Sequence, residues 1–340
     1  MTLFLGVDGG GTKTAFVLLD DRGDIRAALR LSSTYHFTSG IAHVEAVLSD
    51  GVITICRQAG IEPFQIGRAF FGLPGYGESS ADEKRLDVLP QKILGHSRYS
   101  CGNDMVCGWA GSLGGMDGIN VIGGTGSMAY GERGGRGRRV GGWGELFSDE
   151  GSGYWIAIRG LNAFTCMSDG RIPRGPLYEA LRVRIGVDND LDLIGVVFND
   201  WRSDRSAIAE LSKTVVEAAS AGDQVAAAIL TEACSELAGL VETTRVSLDF
   251  GPNDNVPVSH SGGIFDVAAI RNGFRQALMA RHPTYDLRPP LLPPWVGAAL
   301  YAAKQNDTPL SEAAVARLRS TSWSEDRSAP FPVHQGRAIK

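Results

Sequence analysis

Hydrophobic positions at the start of the chain form short runs separated by turn residues. The apolar runs lie at residues 3–7, 14–19 and 25–29, with a glycine-rich stretch after the first and a polar turn at 20–23 after the second. Runs of this length bounded by glycine and aspartate are typical of β-strands joined by hairpins. The opening of the chain therefore predicts three consecutive strands.

Helical spacing follows at residues 41–59, where apolar residues recur every three or four positions. The next elements alternate between short apolar runs and amphipathic segments. We expect a strand at 67–72, a helix at 82–94, a strand at 98–101 and a helix at 105–113. The predicted order of this half is β-β-β-α-β-α-β-α.

The same pattern restarts near residue 119. Strands are expected at 119–122, 128–131, 138–141 and 255–259, and helices at 150–164, 177–184, 191–199, 206–219, 224–248, 265–280 and 293–303. Because each half begins with a glycine-threonine hairpin, the chain reads as an internal duplication.

A length of 340 residues favours two domains. We expect domains at 1–115 and 116–304, with a helix at 294–304 that can pack back on the first domain. Residues 305–340 are expected to form a C-terminal helix and a tail, which is loose from about residue 320 because it is polar and interrupted by proline.

The composition favours an ordinary globular protein and argues against nucleic-acid binding. The chain is 43% hydrophobic and 21% charged, as in ordinary globular proteins, and its net charge of −5 gives no electrostatic basis for nucleic-acid binding. The basic cluster at 133–139 is interpreted as a solvent-exposed hairpin tip, since no aromatic residue is interleaved with its arginines.

Cysteine usage and the apolar pattern predict the compartment. The five cysteines form no C-x-x-C pair, which favours a reducing environment over a disulfide framework or a structural zinc site. We find neither a signal-peptide pattern nor an uncharged run of membrane-spanning length. The expected location is the cytoplasm, with no membrane partner.

The most informative motif is GVDGGGTKT at residues 6–14. Glycines allow close approach of a backbone to a ligand, and successive N–H groups can hold an anion. Asp8 would repel a bare phosphate but suits a divalent cation placed between carboxylate and phosphate. Walker A and dinucleotide loops open a helix, whereas the apolar run 15–19 predicts a strand here. The alternative interpretation is a tight structural turn.

Three other segments carry candidate chemistry. Asn103 and Asp104 follow a predicted strand, where an aspartate could be either a helix cap or a general base. Residues 141–152 read GGWGELFSDEGS, in which Trp143 can stack on a sugar and Asp149 can bind a polyol or begin a helix. The SGGIF turn at 261–265 suits a nucleotide but is weak alone. His36 and His260 lack a neighbouring metal-type ligand in the sequence.

Taken in order, GVDGGGTKT, Asn103-Asp104, IGGTGS at 122–127, GGWG with SDEGS, and SGGIF resemble the N-acetylglucosamine kinase branch of the BadF/BadG/BcrA/BcrD-type ATPases. This family lies in the actin/hexokinase/Hsp70-like superfamily, and the resemblance covers residues 1 to about 304. It implies an α/β fold with duplicated ribonuclease H-like (actin-like ATPase) domains flanking a central cleft.

The resemblance also implies ATP and Mg²⁺ as cofactors and assigns site residues, with Asp104 as the catalytic base. The ATP-binding set is Asp8, Gly9, Gly10, Gly11, Thr12, Lys13, Thr125, Gly126, Ala218, Gly262 and Gly263, with Asp8 near Mg²⁺ through water. The sugar-binding set is Tyr35, His36, Gly75, Asn103, Asp104, Ser127, Gly142, Trp143, Gly144 and Asp149.

The implied function is an ATP-dependent amino-sugar kinase acting on the 6-hydroxyl of N-acetylglucosamine, and a homodimer is compatible with it. Glucosamine kinase is an alternative, because Tyr35 stands where the family typically has asparagine. An activator ATPase would need cysteines beside a glycine loop for an iron–sulfur cluster, and a sugar sensor would need an appended helix-turn-helix. Neither feature is present in the sequence, so both are kept as weaker alternatives.

Overall fold

The computed structural model describes residues 1–306 and 310–321. The chain folds into two units. Unit 1 contains Met1–Met116 together with the described residues from Pro289 onward, and unit 2 contains Asp117–Arg288. The tail expected beyond about residue 320 lies outside the described residues, apart from its first positions.

The described residues form the following strands and helices. The strands are β1 Leu3–Gly9, β2 Lys13–Asp20, β3 Ile25–Ser32, β4 Arg68–Leu73, β5 Tyr99–Asn103, β6 Gly118–Gly123, β7 Ser127–Arg133, β8 Arg136–Gly141, β9 Val256–Ser261 and β10 Tyr285–Arg288. The helices are α1 His36–Ser39, α2 Ile41–Ala59, α3 Ser80–Asp87, α4 Leu89–Leu94, α5 Met105–Leu113, α6 Gly153–Ser168, α7 Pro176–Ile185, α8 Leu193–Gly195, α9 Arg205–Ala209, α10 Ser212–Ser220, α11 Gln224–Ser247, α12 Ala268–Arg281, α13 Pro294–Lys304 and α14 Glu312–Ser320.

Unit 1 contains a five-stranded sheet in the order β3-β2-β1-β4-β5. The first three strands pair antiparallel, as the hairpin pattern predicts, and β4 and β5 add in parallel to β1. Both faces are covered, because Val7 packs in a cluster with α2 while Val17 packs in a cluster with α13. This burial explains why the strands read as continuous apolar runs.

Helix α13 is part of unit 1 and packs on its N-terminal residues. It lies against β1 and α5, and the backbones approach so closely that a Cβ on Gly6 would be 2.2 Å from the Ala299 nitrogen. A Cβ on Gly297 would be equally close to the Cys107 carbonyl. Glycines at these two contacts therefore allow α13 to pack closely on β1 and α5.

Unit 2 repeats the topology of unit 1. Its sheet has the order β10-β9-β6-β7-β8, with β6, β7 and β8 antiparallel and β9 and β10 parallel. Helix α11 is long and apolar enough to span a membrane by length and composition, yet its Ile229, Leu237 and Val241 lie in the core of unit 2. It has the pattern of the core helix of a globular unit.

Some predicted elements differ from those observed. The helix expected at 82–94 is divided into α3 and α4 around Val88. Pro90 explains the break, because proline lacks the N–H that a continuous helix needs and is tolerated in the first turn. The helix expected at 206–219 is also divided, into α9 and α10, and the Leu211 N–H bonds the Ile208 carbonyl in a tighter turn.

Two further predictions were wrong in detail. Residues 191–199 form a short 3₁₀ turn, α8 and a π-helical segment, Val196–Asp200, rather than one helix. Strand β10 was missed because its alternating apolar and polar residues number only four, which is too short a pattern to predict a strand.

The arginine-rich segment at 133–139 is a hairpin tip, as predicted. Arg133 lies opposite Arg136 across a turn formed by Gly134 and Gly135, both with positive φ. Arg133 forms an ion pair with Asp254 (2.9 Å), and Arg136 forms one with Asp249 (2.5 Å). Acidic residues of unit 2 thus offset part of this basic cluster.

Candidate active site

The first glycine hairpin (hairpin 1, residues 9–14) joins β1 to β2. Gly9 lies opposite Thr14, and the Gly10 N–H donates to the Lys13 carbonyl over 2.9 Å. A Cβ on Gly9 would be 2.5 Å from Thr34 Oγ1, so a larger residue does not fit. Gly11 and Thr12 at the tip are exposed to solvent. The structure therefore confirms a hairpin between antiparallel strands rather than a loop that opens a helix.

Residues 33–35 are attached to hairpin 1 by hydrogen bonds. The Ser33 hydroxyl donates to the Gly10 carbonyl (2.7 Å), and the Tyr35 N–H donates to the Ser33 hydroxyl (3.0 Å). Thr14 and Thr34 share a buried hydroxyl–hydroxyl contact of 3.1 Å. These bonds place the candidate sugar-binding Tyr35 beside the candidate phosphate loop.

His36 and Gly75 lie together in unit 1. His36 is buried, with its Nε2 3.9 Å from an Asp82 carboxylate oxygen and its ring 4.2 Å from that of Phe37. Gly75 has a φ of 75°, and a Cβ there would be 3.1 Å from His36 Cε1. Neither nitrogen of the His36 ring has a hydrogen-bond partner among the described residues.

Asp104 is at the N-cap position of α5, but its side chain does not cap the helix. Its side chain makes no capping hydrogen bond, whereas Asn103 Oδ1 accepts from the Met105 N–H over 3.1 Å. The Asn103 amide donates to the Tyr76 carbonyl over 3.2 Å. Asn103 thus supplies the capping bond that was the alternative interpretation of this residue pair, and the role of the Asp104 carboxylate stays a prediction.

The two acids predicted in unit 1 meet at the carboxyl edge of its sheet. Asp8 in β1 is in register with Gly72 in β4, and a Cβ on Gly72 would be 3.4 Å from Asp104 Cα. The fully buried Cys107 touches this position, since the same Cβ would be 2.3 Å from its Sγ. Burial raises the pKa of the Cys107 thiol, and the charges of Asp8 and Asp104 raise it further. Asp8, Asp104 and Cys107 therefore form one cluster.

The second glycine hairpin (hairpin 2, residues 123–127) joins β6 to β7 in unit 2. The Gly124 N–H donates to the Gly126 carbonyl over 2.9 Å, and Thr125 at the tip is exposed. The first N–H of α6, at Gly153, donates to the Gly124 carbonyl (2.8 Å). Hairpin 2 is thus held against a helix N-terminus, where backbone dipoles favour an anion.

Asp149 is almost fully buried beneath hairpin 2. Its side chain is 3% exposed, Oδ1 accepts from the Ser127 N–H (3.4 Å), and Oδ2 pairs with the Arg205 guanidinium. Burial raises the pKa of Asp149, and the charge of Arg205 opposes this shift. Ser152, not Asp149, is the N-cap of α6, because its hydroxyl accepts from the Trp155 N–H.

Glycines with positive φ present Trp143 to solvent. Gly142 and Gly144 both lie in the left-handed region, and the Arg139 guanidinium donates to the Gly142 carbonyl. Trp143 is 74% exposed. A tryptophan in this position can stack on an apolar sugar face.

The candidate adenosine-binding residues Gly262, Gly263 and Ala218 lie in different parts of unit 2. Gly262 approaches hairpin 2, because a Cβ there would be 2.3 Å from the Gly123 carbonyl oxygen. Gly263 begins a 3₁₀ turn, Gly263–Asp266. Ala218 lies in α10 and belongs to the buried core. Among the described residues, no three His, Cys, Asp or Glu side chains are arranged so that they could together hold a metal ion.

Two residues near these groups were missed by the sequence analysis. Cys107 touches the acid cluster of unit 1, and Arg205 binds Asp149 in unit 2. Neither belongs to a glycine motif, so only the three-dimensional contact identifies them.

The two units have equivalent sheets, each with a glycine hairpin. The amino-acid sequence also matches a known protein family. A profile of the BadF/BadG/BcrA/BcrD ATPase family matches residues 5–302. The chain belongs to this family. The predicted family and the α/β fold with a duplicated actin-like ATPase domain are thereby confirmed.

The chain is similar to sugar kinases. The chain is 27% identical over 311 residues to an N-acetyl-D-glucosamine kinase from Dictyostelium discoideum, covering 88% of this chain and 97% of the relative. It is 27% identical to an N-acetylmuramic acid/N-acetylglucosamine kinase from Clostridium acetobutylicum, and the match covers 83% of this chain and 92% of that relative. A solved structure from Chromobacterium violaceum, provisionally assigned as an N-acetylglucosamine kinase, is 27% identical in sequence and has a TM-score of 0.66. The match covers 88% of this chain and 98% of that chain.

Proposed function

We propose that the protein is an ATP-dependent amino-sugar kinase that phosphorylates the 6-hydroxyl of N-acetylglucosamine. The observation that carries this proposal is the meeting of Asp8 and Asp104 at one edge of the unit 1 sheet, beside hairpin 1. A nucleotide loop, a metal-binding carboxylate and a general base are the parts that phosphoryl transfer to an alcohol needs. The kinase relatives named above support the same reaction.

Asp104 is the proposed catalytic base. It would accept the proton of the sugar 6-hydroxyl as that oxygen attacks the γ-phosphorus of ATP, and the bond to the β,γ-bridging oxygen would break. Asp104 is half-buried directly after β5, and Asn103, not Asp104, makes the side-chain bond to the Met105 N–H. A positioned base of this kind contributes about 10²–10⁴-fold to a rate.

The two hairpins are proposed to bind the phosphates of ATP. In unit 1 the set is Gly9, Gly10, Gly11, Thr12 and Lys13, and in unit 2 it is Thr125 and Gly126, with Gly262, Gly263 and Ala218 on the adenosine side. Exposed tips without bulky side chains allow backbone N–H groups to approach the phosphate oxygens. Most of the rate acceleration would then come from positioning and electrostatic stabilisation.

Asp8 fits a magnesium ion. Mg²⁺ bound with a nucleotide needs only one or two protein carboxylates, because phosphates and waters supply the other ligands. Asp8 meets this need directly or through water, and its nearness to Asp104 favours a cation that offsets two neighbouring negative charges. The ion would supply charge neutralisation at the phosphates.

The proposed sugar-binding residues in unit 1 are Tyr35, His36, Gly75 and Asn103, and those in unit 2 are Ser127, Gly142, Trp143, Gly144 and Asp149. The unpartnered ring nitrogens of His36 are suited to a polar group of the sugar. Trp143 would stack on its apolar face. Tyr35 would decide between an N-acetyl group and a free amine at the sugar C2.

The test is an ADP-release assay with ATP, Mg²⁺ and a panel of N-acetylglucosamine, glucosamine, N-acetylmuramic acid and glucose. We expect release that depends on N-acetylglucosamine, with the product identified by mass spectrometry and by nuclear magnetic resonance of the C6 phosphate. Preference for glucosamine would replace the proposed substrate with the alternative amino sugar. ADP release without any sugar would favour an activator ATPase, and none with any sugar would favour a sensor.

A further inference from the structure

We propose that Arg205 is a positioning residue for hairpin 2 and that it acts through Asp149. The inference rests on the proposed function, because it concerns how the phosphate loop of unit 2 is held for ATP. No motif of the sequence marks Arg205, and the argument comes from three contacts, one backbone feature and one steric constraint.

The first contacts are those of the Asp149 carboxylate. One oxygen accepts from the Ser127 N–H at the end of hairpin 2, and the other pairs with Arg205. A nearly buried carboxylate needs such partners, since an unpaired buried charge is costly. Asp149 thus links the hairpin backbone to the Arg205 guanidinium.

Arg205 also binds the segment that precedes Asp149. Its Nη1 lies 3.4 Å from a carboxylate oxygen of Glu145, and its own side chain is 36% exposed. The planar guanidinium therefore holds Glu145 and Asp149 at once, as its fixed fork of donors allows. Residues 145–149 cannot shift without breaking one of these pairs.

Close packing couples Arg205 to the hairpin directly. A Cβ on Gly126 would be 2.3 Å from Arg205 Nη2 and 2.8 Å from Asp149 Oδ2. A side chain larger than that of glycine at this position would therefore displace the ion pair behind it. The path of the Gly126 backbone depends on where the pair lies.

Strained backbone positions accompany this arrangement. Asp149, Arg202 and Ser203 all have positive φ (64°, 50° and 54°), which is costly for residues other than glycine. Arg202 and Ser203 directly precede Asp204, the N-cap of α9, whose side chain accepts from the Ala207 N–H over 2.7 Å. Arg205 follows as the first residue of α9. The strain thus occurs at both ends of the Arg205–Asp149 pair.

The variants that test this are Arg205→Met, Arg205→Lys, Asp149→Asn and the double variant, with Arg171→Met as the control. Arg171 is matched because it is also an arginine of unit 2 paired with an aspartate, Asp169, at 2.8 Å. The binding probes are adenylyl imidodiphosphate with Mg²⁺ and adenosine alone, both titrated by calorimetry. Urea unfolding of each variant separates folding defects from binding defects, and kcat and KM are measured for ATP and for N-acetylglucosamine.

We expect Arg205→Met to weaken the binding of the triphosphate analogue, leave adenosine binding unchanged and lower kcat by about 100-fold, as small misplacements at a reacting centre do. Arg205→Lys should recover part of the loss, because it restores the charge without the fork. The double variant should lose no more than the worse single variant, since both changes break one link.

The proposal is overturned if folded Arg205→Met binds the triphosphate analogue and turns over as the wild type does, or if the two single losses add in the double variant. A change in KM for the sugar with unchanged triphosphate binding and kcat would also overturn it, because the Arg205–Asp149 pair would then act on the sugar side only and not on the hairpin. If the wild type phosphorylates no sugar, the proposed function fails, while the comparison of triphosphate and adenosine binding still decides the role of Arg205.

Discussion

Hairpin 1 and hairpin 2 hold equivalent places in two sheets of the same topology, yet their electrostatic surroundings differ. In β1 the residue before the hairpin glycine is Asp8, and in β6 the corresponding residue is Ile122. Asp8 has a second acid, Asp104, as its neighbour across β4. Unit 2 has its acid, Asp149, beneath the hairpin instead, where Arg205 neutralises it.

This difference shows how a duplicated fold can divide one task. The acids of unit 1 collect negative charge, which favours a bound cation and a proton acceptor. In unit 2 Arg205 offsets part of the negative charge of Asp149 and Glu145, and the hairpin above them meets the N-terminus of α6, which favours an anion. The topology is common to both units, while the charge of each edge is set by a few side chains.

The largest effect on the contrast between the units is expected from a substitution of the proposed base, Asp104. Asp104→Asn keeps the size of the side chain but cannot take a proton, so we expect kcat to fall by about 10²–10⁴-fold with nearly unchanged binding of the ATP analogue. Steady-state kinetics and calorimetry measure the two effects. Asp50→Asn, at an exposed position of α2, is the control and should behave as the wild type. Undiminished turnover in Asp104→Asn would refute the assignment.

A substitution of the other acid of unit 1, Asp8, should weaken the binding of Mg²⁺. Asp8→Asn is expected to raise the Mg²⁺ concentration for half-maximal activity by roughly 10- to 100-fold, since a hydrogen bond to a charged group contributes about 1.5–3 kcal/mol. A magnesium titration at saturating ATP measures this shift. The same titration of Asp149→Asn should give the wild-type midpoint, because Asp149 already pairs with Arg205. Equal shifts in both variants would remove the proposed division between the units.

Paired glycine variants test the two hairpins sterically. Gly9→Ala and Gly126→Ala place a Cβ within 3.0 Å of neighbouring atoms, so we expect each to lower the free energy of unfolding by about 1–3 kcal/mol. Gly11→Ala and Gly124→Ala meet no atom within 4 Å and should stay within about 0.5 kcal/mol of the wild type. Urea unfolding gives all four values. A reversed order would show that the packing described at the hairpins is wrong.

The strands and hairpins of both units were predictable because their signals are local. Glycines between two apolar runs specify a hairpin, and the helix at 41–59 and the helix at 105–113 were predicted with the observed bounds. Strand β10 could not be predicted, since its four residues gain strand structure only by pairing with β9. Tertiary pairing, not local preference, decides such an element.

The candidate site was predictable in its motifs and not in its supporting contacts. Asp8 and Asp104 are separated by most of unit 1 in sequence, and their meeting depends on the register of β1 with β4 and of β4 with β5. Cys107 and Arg205 have no motif of their own, so only the fold reveals that they touch the predicted residues. The domain limits and the roles of the site residues stay predictions.

The smallest expected effect concerns the pH dependence of stability in unit 2. The pKa of Asp149 is raised, chiefly by burial, so the folded state holds its proton more tightly than the unfolded state does. Its contribution is therefore fully present below the unfolded pKa and is lost as the pH rises through the folded pKa. Asp190 has the opposite sign, because hydrogen bonds from Ser168 and Tyr178 lower its pKa, and its contribution is lost as the pH falls.

Urea unfolding of the wild type, Asp149→Asn and Asp190→Asn across the acidic range separates the two signs. The advantage of wild type over Asp149→Asn should shrink as the pH rises, while the advantage over Asp190→Asn should grow. Parallel changes in the two differences would mean that Arg205 outweighs burial at Asp149. The acid under hairpin 2 would then be a strongly favourable ion pair, and the contrast with the cation-seeking acids of unit 1 would be larger than burial alone predicts.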